Sequence, residues 1–174
     1  MQTIGLPTEK TNWYDKGRKK TEGLVIMKEI LKLENVKITN SVKDWQEAIK
    51  VSIQPLVQQG YCKERYITGI IENTEKFGPY YVLCENLALI HGRSEQGVIK
   101  TQLAITVLKQ PVKFKADGYD VRVLIALAAQ DSKSHLEAMQ AISNIFSDNE
   151  RVQKILNADK AETIYDLFIS SVEA

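Results

Sequence analysis

The sequence has few of the residues that most metal and redox sites require. Among its 174 residues there are only two histidines, His91 and His135, and two cysteines, Cys62 and Cys84. Zinc sites gather about three or four such ligands, and these four are scattered, so we expect no metal. The cysteines show no redox spacing. They fit reduced thiols in a cytoplasmic protein better than the disulfide of a secreted one.

Several sequence motifs are also missing. There is no Gly-rich phosphate loop of the GxxxxGK[ST] kind, no GxGxxG and no G-x-S-x-G, which argues against a P-loop enzyme, a dinucleotide-binding domain and a serine hydrolase. No apolar run approaches the ~20 residues of a membrane span. The net charge of +1 gives no argument for nucleic acid or an acidic membrane. We interpret the basic cluster 16–20 as a solvated tail rather than a contact surface.

The first part of the chain lacks the periodicity of a folded element. Residues 1–26 are polar and basic, without the apolar core of a signal peptide. Met27 begins a regular pattern, M-K-E-I-L-K-L. We therefore expect residues 1–26 to form an N-terminal extension outside the core fold, and residues 27–174 to form one domain. Whether the extension belongs to the natural protein or reflects an early start codon is left open.

The remaining pattern predicts helices before and after a group of strands. Ser41 is the expected N-cap of the first helix, Pro55 should kink or shorten it, and Lys109-Gln110-Pro111 should end the third strand. The nearly all-apolar run 121–129 is typical of a central strand buried on both faces. We predict helices over 41–60, 63–77, 148–156 and 160–172, a further helix from 134, and strands over 80–84, 87–90, 101–108 and 121–129.

This order of elements predicts an α/β protein with helices on both faces of a sheet, a three-layer α/β/α sandwich. At one strand end, His91 follows the apolar run Leu87–Ile90 and precedes a turn-like segment that contains Arg93. A neutral imidazole there could act as a nucleophile near pH 7, and Arg93 could bind phosphate oxygens. A histidine held by loop hydrogen bonds and a solvated arginine are the alternatives.

The second histidine lies at a predicted helix start. Ser134-His135-Leu136-Glu137 has the form of a capping box, which makes Ser134 the N-cap and places His135 in the first turn. Unpaired amides at such a terminus bind anions, so His135 could add a hydrogen-bond donor to a bound phosphate. A surface histidine near a cap is the alternative reading.

Taken together, four segments resemble the IIA components of the bacterial phosphoenolpyruvate-dependent sugar phosphotransferase system (PTS), of the mannitol/fructose type. They are F-G-P-Y-Y-V (77–82), A-L-I-H-G-R-S-E-Q-G-V (88–98), V-L-I-A-L-A-A (123–129) and S-H-L-E-A-M-Q-A-I-S-N-I-F (134–146). The resemblance spans about 27–172, is nearest to the ascorbate and pentitol proteins, and implies a mixed central sheet.

The resemblance also implies a role for each candidate residue. The histidine matching His91 accepts a phosphoryl group from phosphorylated HPr and passes it to a cysteine of a IIB partner. From there the group reaches the sugar at a membrane IIC component. His135 would help hold the phosphoryl group, with Arg93 and Ser134 in support, and no cofactor is implied. A homodimer and the identity of the sugar are left open.

The sequence departs from the family pattern at three places. Ile90 and Ser94 stand where relatives usually have proline. Asn73 and Thr74 lie where mannitol-type proteins carry an arginine, which weakens assignment to mannitol. Two other functions are considered beside the phosphocarrier. One is a regulatory IIA module that acts by phosphorylation-dependent protein interaction, and the other is an unrelated two-histidine metal or hydrolytic enzyme.

Overall fold

The computed structural model describes residues 25–173, with side chains described up to residue 170. The predicted extension therefore lies outside the described residues except for residues 25 and 26. The strands are β1 (Val36–Thr39), β2 (Val82–Cys84), β3 (Asn86–Ile90), β4 (Gln102–Lys113) and β5 (Asp120–Ala128). The helices are α1 (25–30), α2 (Trp45–Gln58), α3 (Glu64–Phe77), α4 (Ser132–Phe146), α5 (Asn149–Leu156) and α6 (Ala161–Glu173).

The five strands form one mixed sheet in the order β1-β4-β5-β3-β2. Strand β5 lies in the middle, antiparallel to β4 and parallel to β3. Ile90, the last residue of β3, pairs with Ala126 of β5. Because parallel strands run in the same direction, the C-terminal ends of β3 and β5 lie at the same end of the sheet. The segments that follow these two strands therefore start close together.

Side chains alternate between two hydrophobic cores, one on each face of the sheet. In β5, Val123, Ile125 and Leu127 pack with helices α1, α4, α5 and α6. Leu124, Ala126 and Ala128 face helices α2 and α3 on the other side. All six are completely buried, as expected for a strand covered on both faces. The predicted α/β/α sandwich with a mixed sheet is confirmed, and so is the central position of the apolar strand.

The prediction for the start of α2 was wrong. Asp44, not Ser41, is the N-cap, and its carboxylate accepts the amide of Glu47 at 2.9 Å. Pro55 also neither ends nor shortens the helix, which continues to Gln58. The carbonyl that would normally accept the missing N–H belongs to Val51, and the ammonium of Lys37 donates to it at 2.8 Å. This bond satisfies the carbonyl that the proline leaves without its helical partner, which offsets the hydrogen-bond part of the cost of proline inside a helix.

The predicted stop at Lys109-Gln110-Pro111 was also wrong, because β4 runs on to Lys113. The register between β4 and β5 shifts between Val107 and Val112, so the proline falls in an irregular stretch. An irregularity of this kind accommodates a residue without an N–H group. Within residues 25–173, no helix is both long and apolar enough to cross a membrane.

Candidate functional site

The two histidines meet where β3 and β5 leave the sheet. His91 follows the last residue of β3, and His135 lies in α4, the helix that follows β5. Their ring centroids are 4.9 Å apart with the ring planes inclined at 47°. Both line an open cleft of about 610 Å³, together with Arg93, Asp131 and Ser132. The structure therefore joins three of the four predicted site residues.

Hydrogen bonding indicates which nitrogen of His91 keeps its lone pair. Its Nδ1 lies 2.7 Å from the carbonyl oxygen of Leu89. A carbonyl only accepts hydrogen bonds, so Nδ1 carries the proton and Nε2 keeps its lone pair in the neutral ring. Burial lowers the pKa of His91 below its usual value, the Leu89 bond partly opposes this, and His135 lowers the pKa further. The neutral, nucleophilic form is therefore favoured near pH 7.

This shift predicts the titration of His91. Because the pKa is lowered, the ring should stay neutral below pH 6.5, the usual value for histidine, and protonate only at more acidic pH. The unfolded chain would bind that proton more readily, so stability should decrease as pH falls below this value. In His135→Ala the pKa of His91 should rise toward the usual value. Titration followed by NMR of the imidazole nitrogens measures the pKa of His91 in the wild type and in His135→Ala. A higher His91 pKa in the wild type than in the variant would show that His135 does not lower it.

Two tyrosines hold the backbone on either side of His91. The hydroxyl of Tyr80 donates to the carbonyl of His91 at 2.6 Å, and its ring packs edge-on against the imidazole at 5.5 Å. The buried hydroxyl of Tyr66 accepts the amide of Gly92 at 2.9 Å and donates to Leu127 of β5 at 2.8 Å. Ile90, in place of proline, is wholly buried. The tyrosine contacts therefore constrain the loop without a fixed proline φ.

The start of α4 differs from the prediction in a way that affects the site. Asp131 is the N-cap, and its carboxylate accepts the amide of Ser134 at 2.8 Å. The prediction of a capping box headed by Ser134 was therefore wrong, because the carboxylate of Asp131 already accepts the amide of Ser134. Ser134 instead lines a different cleft, with Glu29 and Lys100, and is not brought to His91. The sequence signal for this N-cap was the aspartate three residues before Ser134.

The Asp131 carboxylate occupies the helix N-terminus that was expected to be free for an anion. Hydrogen bonds from Ser134 lower the pKa of Asp131, so it is ionised at neutral pH. The amide of His135 is also satisfied, because it donates to the carbonyl of Asp131 at 3.1 Å. The amides of Ser134 and His135 are therefore not free for an anion, and the ring of His135, 4.9 Å from that of His91, is a hydrogen-bond donor that the cleft retains.

Arg93 is an exposed cation that lines the cleft. Its side chain is 72% exposed, and its guanidinium lies 3.6 Å from the carboxylate of Glu95. Such exposed ion pairs contribute little stability. Arg93 could therefore leave Glu95 and pair with a phosphoryl group at little cost in free energy. The structure places Arg93 in the same cleft as His91 and His135, and its role as a phosphate ligand stays a prediction.

The fold and the paired histidines can now be compared with known proteins. The family model described as "Phosphoenolpyruvate-dependent sugar phosphotransferase system, EIIA 2" matches residues 29–171. The mannitol-specific cryptic phosphotransferase enzyme IIA component of Escherichia coli is 36% identical over 133 residues, which cover 76% of this chain and 90% of that protein. Its solution structure has a TM-score of 0.75 at 33% identity, covering 83% of this chain and 97% of that one.

A second relative carries a different sugar specificity in its name. The ascorbate-specific PTS system EIIA component of Escherichia coli is 35% identical over 136 residues, 77% of this chain and 88% of that protein. The fold is thus that of the IIA components of the phosphotransferase system. The chain belongs to the EIIA 2 family of the phosphoenolpyruvate-dependent sugar phosphotransferase system.

Proposed function

We propose that the chain is a phosphocarrier that accepts a phosphoryl group on Nε2 of His91 from phosphorylated HPr. The observation that carries this proposal is the geometry of His91. Its Nδ1 is 2.7 Å from the Leu89 carbonyl, and its ring is 4.9 Å from that of His135. This leaves a lone pair on Nε2 within an open cleft that a partner protein can reach.

The transfer needs no proton movement at His91. The Nε2 lone pair forms the bond to phosphorus, while the donor's bond to phosphorus breaks and its electrons stay on the donor. Nδ1 keeps its proton, and the Leu89 carbonyl stabilises the positive charge that the ring gains. Catalysis then consists of positioning and of stabilising charge on the phosphoryl oxygens, which we assign to His135 and Arg93.

The same site would release the group to the next carrier. The carboxylate of Asp131 lies in the cleft beside His135, and its charge opposes tight retention of a second anion. This suits a protein that must pass the group on to a cysteine of a IIB partner. We place the protein in the cytoplasm, acting with a membrane IIC component, because the sugar phosphotransferase family to which it belongs implies these partners.

For the transported compound we propose the ascorbate or pentitol type. Asn73, which lines the cleft, stands where mannitol-type proteins are expected to carry an arginine. The identities of 36% and 35% to a mannitol and an ascorbate relative do not separate the two. Transfer to purified IIB proteins of each type would distinguish them.

Reconstitution with phosphoenolpyruvate, enzyme I and HPr tests the proposal. We expect the protein to take up one labelled phosphoryl group, only when HPr is present, and to lose it when a matching IIB is added. A protein that remains unlabelled with active HPr would contradict the proposal. Labelling without transfer to any IIB of the mannitol, ascorbate or pentitol type would favour the regulatory module instead.

A further inference from the structure

The side chain of Gln96 makes hydrogen bonds with every polar atom of its amide. Its Oε1 accepts the backbone N–H of Arg93 at 2.8 Å and the amide of Asn73 at 2.9 Å. Its Nε2 donates to the side-chain oxygen of Asn73 at 3.1 Å and to the carbonyl of Gly69 at 3.5 Å. One side chain thus ties the loop after His91 to helix α3.

The space for this amide is made by two glycines. A Cβ atom on Gly92, the residue next to His91, would lie 2.7 Å from Oε1 of Gln96. A Cβ on Gly69 of α3 would lie 3.0 Å from its Nε2. Both distances are too short for an ordinary contact, so any larger residue at either position would displace the amide. The loop and the helix therefore approach each other closely on either side of the Gln96 amide.

The backbone of His91 is also held on the other side of the imidazole. Asn73, the reciprocal partner of Gln96, lines the same cleft as Tyr80, whose hydroxyl donates to the His91 carbonyl at 2.6 Å. The His91 carbonyl is thus held through Tyr80, and the backbone after His91 is held through Arg93. The second of these restraints is made directly by the Gln96 amide.

We propose that Gln96 is a positioning residue for phosphoryl transfer, fixing the loop that aims Nε2 of His91 into the cleft. The inference rests on the proposed phosphocarrier function. In-line transfer is sensitive to alignment, and a misplacement of about 1 Å can cost about a hundredfold in rate. Gln96 itself makes no contact with the imidazole, so its loss should change the rate of transfer and leave the phosphorylated residue unchanged.

The chain offers a matched control in Asn35 and Gln59. These two side chains form the same reciprocal amide pair, with one bond of 3.0 Å and one of 2.5 Å. Asn35 directly precedes β1, the strand at one edge of the sheet, three strand positions from β3, or about 14 Å. Gln59→Ala therefore removes an equivalent pair away from the histidines.

The experiment compares Gln96→Ala, Gln96→Met and Gln59→Ala with the wild type. Single-turnover uptake from phosphorylated HPr should be about tenfold to a hundredfold slower in both Gln96 variants and unchanged in Gln59→Ala. Methionine retains the length of the side chain without its hydrogen bonds, so it separates packing from positioning. Nitrogen NMR of unphosphorylated protein should show a smaller fraction of His91 protonated at Nδ1 in the Gln96 variants only.

Three results would overturn the positioning role. These are uptake within twofold of wild type in the Gln96 variants, an equal loss of rate in Gln59→Ala, or failure of both Gln96 variants to fold. If wild-type protein takes no label from HPr, the proposed function fails, and the NMR comparison alone decides the positioning role. An unchanged His91 tautomer in the Gln96 variants would then reject it.

Discussion

The variant His91→Ala should take up no phosphoryl group from phosphorylated HPr. Removing the imidazole removes Nε2, the ring nitrogen whose lone pair the Leu89 hydrogen bond leaves free. We expect labelling to fall to background, because loss of the covalent nucleophile leaves no group to accept the phosphoryl. Quench-flow with labelled phosphoenolpyruvate measures the loss.

His91 is only half-buried, so this variant should remain folded. A circular dichroism melt that matches the wild type would show that the loss is chemical. The matched variant is His135→Ala, which removes the other imidazole of the pair and should still be labelled. If His91→Ala accepts label at the wild-type rate, the assignment of the nucleophile is wrong.

The variant His135→Ala should remain competent but slow. The ring of His135 is 4.9 Å from that of His91, close enough to donate a hydrogen bond to a phosphoryl oxygen during transfer. Losing one preorganised donor to a developing charge typically costs about a hundredfold to a thousandfold in rate. We expect a reduction of this order in single-turnover uptake, with the same final extent of labelling when HPr is in excess.

The variant His135→Gln separates the donor from the ring. Glutamine keeps an N–H group at a similar distance, so it should recover part of the rate that alanine loses. Equal rates for the alanine, glutamine and wild-type proteins would show that His135 only fills space beside His91. Loss of all labelling in His135→Ala would contradict the division of roles, because it would make His135 the carrier.

Much of the fold was predictable because it follows from local patterns. The apolar run of β5 and the apolar stripes of the helices before and after it are set by residues close in sequence, and together they predict the three layers. The element ends were less predictable. Ser41 and Ser134 are both good caps by composition, but Asp44 and Asp131 were better placed to accept the amides of Glu47 and Ser134.

The candidate site was predictable only in part, for a physical reason. His91 and Arg93 are two residues apart in sequence, and His135 was linked to them because the ends of their strands were expected to meet at one rim of the sheet. The residues that orient the loop are different. Tyr66 and Asn73 reach it from α3 through tertiary contacts, and Gln96 is recognisable only once Gly69 and Gly92 are seen to surround its amide.

The most direct test of the account is the chemical site of phosphorylation in the wild-type protein. After labelling through HPr, nitrogen and phosphorus NMR distinguish Nε2 from Nδ1 phosphohistidine, and mass spectrometry of peptides separates His91 from His135. The account predicts one phosphoryl group on Nε2 of His91, with the proton still on Nδ1 beside the Leu89 carbonyl. A phosphoryl group on Nδ1 of His91, or on His135, would contradict it.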